Sequence, residues 1–169
     1  LSILSIFIES EKGLLIATIF FVIYRILTIH IVIKKTKKVK LFPIILGFLP
    51  FLSILIYLIF LTQSSLGLNY IPAIVNALLI SFLAGIALSN YVLEDDIKNS
   101  WLLISTILFA LLIFIFMIKT YYVEMQLFKP IQTICFFGGH YFFMRYIILS
   151  EHQIIMDLPC EITVESESK

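Results

Sequence analysis

Two ionisable side chains in this sequence fall where charge is costly. Arg25 lies eleven residues into an apolar run that begins at Leu14, about 16 Å along a helix and therefore near a bilayer midplane. An arginine at that depth costs at least roughly 2.5–3.5 kcal/mol on insertion scales, so it must face a partner or a wet cavity. Its chemistry is anion binding. Thr18, Phe21, Arg25 and Thr28 follow 3-4-3 spacing, which places them on one helix face directed into a bundle. His140 is nine residues past Ile131, about the same depth in a later apolar run. Arg25, Thr28 and His140 are thus expected to line one internal polar pocket. For His140 the alternative is a hydrogen bond to a backbone carbonyl, and for Arg25 a structural tie. Every Asp and Glu falls in a loop, at the end of an apolar run or in the C-terminal tail. The counter-charge to Arg25 is therefore expected from helices outside this sequence, or from a lipid or substrate phosphate.

The elements that must position these residues are transmembrane helices. The chain is 61% hydrophobic and 14% charged, where a soluble domain carries about 25% charged residues. Five lysines, Lys34, Lys35, Lys37, Lys38 and Lys40, fall within seven positions between two apolar runs, and such a loop stays on the cytoplasmic side. This predicts an all-α, polytopic transmembrane helix bundle with five complete spans, about 14–33, 41–61, 70–92, 101–118 and 131–149. A polar, mobile cytoplasmic tail over 150–169 follows. Pro50 predicts a kink in the second span, and Ser100 is placed to cap the fourth. Residues 1–8 are apolar but too short to cross, since a span takes about 20 residues. They read as the end of an N-terminal helix that begins upstream, with a short interfacial segment as the alternative.

The third span carries the clearest packing signal. Ala73, Ala77, Ser81, Gly85 and Ser89 recur every four residues and form a groove that lets another helix approach closely. Packing within the bundle is the first expectation, with a homodimer seam as the alternative partner contact. His30 is turned away from Arg25, one turn from the lysines, and should snorkel to the interface. Arg145 and the lysine loop are candidates for anionic lipid headgroups. Cys135 and Cys160 are expected at opposite membrane surfaces, unable to pair. The near-neutral net charge of +1 offers no basic face to nucleic acid. No Cys/His cluster, phosphate loop or GxSxG motif is present, so no metal or other cofactor is expected.

The stretches Phe20-Phe21-Val22-Ile23-Tyr24-Arg25 and Gly138-Gly139-His140-Tyr141-Phe142-Phe143-Met144-Arg145-Tyr146, with the order of spans, resemble the C-terminal part of the YhhN family, bacterial relatives of the lysoplasmalogenases. The resemblance covers about residues 1–150. It implies an eight-helix protein of the bacterial inner membrane, with two to three helices preceding Leu1 and with the lysine loop and tail inside. It also implies hydrolysis of the vinyl ether of lysoplasmalogens, which would use an acid and a stabilising carboxylate. The sequence departs from the family pattern here. Phe116-Met117-Ile118-Lys119 in the fourth span offers no carboxylate, and Ser89-Asn90 has Asn in place of Asp, one helix too early. No catalytic residue is carried over, and whether the chain is an enzyme stays open. Three functions compete: a YhhN-like protein handling lysolipid in an Arg25-lined pocket, a non-catalytic subunit of a membrane assembly, and a small-anion carrier.

Overall fold

The computed structural model describes residues 11–36, 40–94, 96–121 and 126–156. They form five long helices, α1 (Glu11–Lys35), α2 (Leu41–Leu61), α3 (Tyr70–Leu93), α4 (Ile97–Tyr121) and α5 (Phe128–Met156), and no strand occurs among them. Four candidate spans are long and apolar enough to cross a bilayer: Gly13–Lys35, Leu41–Leu61, Gln63–Leu93 and Ile97–Tyr121. That is the architecture of a multi-pass integral membrane protein. The expected fifth span falls on α5, whose 29 residues give ample length. Lys129, Gln132, His140, Arg145 and Glu151 along it make it more polar than the other four.

Helix ends depart from the sequence expectation for local reasons. Asp96 Oδ1 accepts the Lys98 backbone N–H at 3.2 Å, so α4 starts at Ile97 and Ser100 lies inside the helix, not at its cap. A carboxylate at that end also meets the helix dipole favourably. α2 continues through Pro50 as one helix. The chain then reverses through two helical turns, Gln63–Leu66 and Gly67–Asn69. Gly67 has a φ of 50°, a left-handed value that a side chain would oppose. The segment from Ser150, expected to be mobile tail, begins as helix and continues to Met156. Ser150 is buried and donates to Tyr146 O at 2.7 Å. The expected N-terminal helix end (1–8), Lys37, Lys38, Cys160 and residues 157–169 lie outside the described residues.

α3 is the central helix. Of its apolar window 44% is buried, against 22% to 33% for the other three, and it packs against α1, α2 and α4, while α5 packs on α4. Its small-residue stripe explains the closest of these contacts. A Cβ on Gly85 would lie 2.5 Å from Ile44 O, and one on Gly47 would lie 3.1 Å from Gly85 Cα. The two glycines thus let α2 and α3 touch backbone to backbone, the contact that drives helix association where lipid removes the hydrophobic term.

One end of the bundle is laced by polar contacts. Asn90 Nδ2 donates to Thr36 Oγ1 at 3.0 Å, Asn99 Nδ2 donates to Asn90 O and Glu94 O, both at 3.2 Å, and Lys35 Nζ is 3.3 Å from Glu151 Oε1. These bonds gather the ends of α1, α3 and α5 with the start of α4, so α1, α3 and α5 run in the same direction. Phe20, Phe42, Tyr57, Phe60 and Phe137 are all exposed on the outside. Water would penalise such a surface, and a lipid surround would not.

Candidate functional site

The site is built outward from Gly139. A Cβ there would lie 2.8 Å from Phe109 Cε1, so only glycine leaves room for the Phe109 ring between α4 and α5. One turn earlier on α4, Ser105 Oγ donates to Gly139 O at 2.8 Å and fixes the crossing. The ring presents its face to Arg25, whose Cζ stands 4.2 Å from the centroid. Tyr24 meets the same ring edge-on at 6.3 Å. Arg25 is 1% exposed, and its Nε and Nη1 have no hydrogen-bond partner among the described residues. A desolvated cation–π contact returns about 2 kcal/mol, less than the insertion cost of an arginine at this depth. The guanidinium is held and left short of acceptors.

Its Nε and Nη1 are two of several unsatisfied polar atoms around one cavity of about 160 Å³. Arg25 and Thr18 of α1 line it with Asn76 and Ala77 of α3, Met117 of α4 and Phe136 of α5. Asn69, in the turn before α3, closes the end away from the lysines. Buried Oδ1 atoms of Asn69 and Asn76 are also without partners, while most of the remaining wall is apolar. Phe21 and Phe136 line the cavity and are also 42% and 38% exposed on the outer surface. The cavity wall at α1 and α5 therefore reaches the outer, lipid-facing surface. Glu94, Asp96 and Glu151 belong to the lysine-rich end, while Glu11 begins α1 one turn before Leu14 of the cavity wall. No group of three His, Cys, Asp or Glu suited to a metal occurs among the described residues.

The sequence-derived candidates separate. Of Arg25, Thr28 and His140, only Arg25 lines the cavity. Thr28 is buried one turn away and donates to Tyr24 O at 2.9 Å. His140 meets the same Phe109 ring nearly at a right angle, 5.1 Å between centroids. Its Nδ1 is 2.8 Å from Phe136 O and its ring stacks on Tyr24 at 5.4 Å. It is thus an aromatic-cluster residue bonded to a carbonyl, not a wall of the cavity. Lys34 and Lys40 are exposed, and Lys35 is taken by Glu151. Arg145 is exposed, its Nε donating to Tyr141 Oη at 3.2 Å. Ala77, Ser81, Gly85 and Ser89 are buried within the chain, and Ala73 lines the cavity, so the groove is filled internally.

Phe109, Asn69 and Asn76 were missed. The two asparagines had a legible signal, since each is an uncharged polar residue at or within an apolar run. Phe109 had none, being one of 16 phenylalanines. Comparison with protein-family models, with curated proteins and with solved structures gives no match to this chain.

Proposed function

We propose that this chain is an intramembrane binding protein that draws the acidic end of a single-chain lipid out of the bilayer and holds it on Arg25. The observation that carries this reading is the buried guanidinium, its Nε and Nη1 unpartnered among the described residues, beside a cavity lined by Phe21 and Phe136, both also partly exposed on the outside. A ligand dissolved in lipid would enter between these two rings, and an arginine suits a carboxylate or phosphate. All five helices cross the membrane in this proposal, with the lysine loop and tail in the cytoplasm of a bacterial inner membrane. The protein is a divergent YhhN-like chain, a relation supported by its sequence motifs.

Binding without turnover is the reading we adopt. Vinyl ether hydrolysis needs a proton donor and a stabilising carboxylate, and none of the residues lining the cavity is acidic. The assembly-subunit reading loses its main contact surface, because α2 fills the small-residue groove. A carrier would be supported by interrupted helices in symmetric pairs, whereas each long helix here is continuous.

The test is to purify the chain in nanodiscs made directly from its host membrane and identify the bound lipid by mass spectrometry. A single-chain acidic lipid should be enriched over the bilayer, at least tenfold less in Arg25→Gln, and partly restored in Arg25→Lys. Equal lipid in the Arg25→Gln protein would overturn the reading. Added lysoplasmalogen should yield no aldehyde above the empty-disc rate.

A further inference from the structure

Arg25 and Asn76 both line the cavity, and each carries buried polar atoms without a partner among the described residues, donors on Arg25 and an acceptor on Asn76; an anion alone would satisfy only the donors. We infer that Asn76 is a specificity-determining residue, and that the ligand class is a hydroxy acid amphiphile. Its acid group sits on Arg25, and a hydroxyl one or two carbons away donates to Asn76 Oδ1. The inference rests on the lipid-binding reading above and narrows it.

Register gives the spacing. α1 and α3 run in the same direction and are tied at Thr36 and Asn90. Counting back eleven residues on each places Arg25 level with Leu79. Asn76 is then three residues, roughly 4.5 Å, towards the cavity's other end. Asn69 is ten residues, roughly 15 Å, from the same level, too far for the same hydroxyl. Both Asn76 Oδ1 and the Arg25 nitrogens are buried and unpartnered among the described residues, and both side chains line the cavity.

Size narrows the class further. A cavity of about 160 Å³ is close to the ~150 Å³ apolar cavity that accommodates benzene. It therefore takes about six heavy atoms. A carboxylate, a carbinol and one or two more carbons fill that space, while a glycerophosphate group exceeds it. The rest of the chain would leave between Phe21 and Phe136 into the bilayer. A site built around a ligand hydroxyl discriminates against the analogue lacking it, because the buried acceptor is then left unpaired.

The experiment compares equilibrium binding of decanoate, 3-hydroxydecanoate and 10-hydroxydecanoate to the chain in nanodiscs, corrected for partition into empty discs. We expect 3-hydroxydecanoate to bind at least about tenfold more tightly than the other two, and Asn76→Leu to remove the difference while decanoate still binds. Equal affinity for decanoate and 3-hydroxydecanoate in the parent protein, which needs no variant, overturns the role of Asn76 and leaves the Arg25 site standing. Binding of none of the three overturns both. A preference for decanoyl lysophosphatidate with no binding of 3-hydroxydecanoate also overturns the hydroxy acid assignment, and keeps the Arg25 site.

Discussion

Arg25 shows how a bundle can hold a cation on an aromatic face. The face of Phe109 supplies the negative end of a quadrupole, Gly139 makes room for the ring, and His140 and Tyr24 pack around it. In a double-mutant cycle with Arg25→Met and Phe109→Leu, thermal unfolding in detergent should give a coupling of about 1–2 kcal/mol. A coupling of zero would mean that ring and cation do not interact. Thr28 and His140 belong with Arg25 in sequence spacing but not in the cavity. Spacing fixes a helix face to within a turn, and the local partners, Tyr24 O for Thr28 and Phe136 O for His140, take those two side chains up.

At the scale of elements, the α2–α3 contact is the tightest in the molecule that a single substitution can probe. The Gly85 Cβ position is already within 2.5 Å of a backbone carbonyl oxygen, which cannot rotate away as a side chain would. Gly85→Leu should therefore cost about 3 kcal/mol or more, seen as a lower melting temperature or failure to purify as a monodisperse species. A variant that inserts and melts like the parent would refute the contact. The groove itself was legible in the sequence from its four-residue repeat. Its occupant was not, because a stripe of small residues is equally open to a partner chain.

For the whole molecule, the two ends of the bundle are built differently. The lysine-rich end is tied by Thr36, Asn90, Asn99, Lys35 and Glu151, while the other end surrounds a cavity with unmet polar atoms. If α5 crosses the membrane with the others, Ser64→Cys and Leu127→Cys, in a background lacking Cys135 and Cys160, should react with an impermeant maleimide added outside intact cells. Glu151→Cys should react only after permeabilisation. Labelling of Glu151→Cys from outside would place α5 on the surface instead of across it. The exposed Lys35–Glu151 pair contributes about 0–1 kcal/mol at most, so orientation, not stability, is its useful readout.

By itself the sequence determined the all-helical class, the positions of the apolar runs, the place of Arg25 inside one of them and the repeat of small residues on α3. All of these follow from local composition and helical periodicity, which need no knowledge of neighbours. Only the tertiary structure decided that α2 meets the groove at Gly85, that Arg25 and His140 both contact the Phe109 ring, and that Asn76 shares a cavity with Arg25. Those facts depend on which helices meet and at what register. In this chain that register is set by two glycines at one crossing and by side-chain hydrogen bonds between residues as far as 116 positions apart.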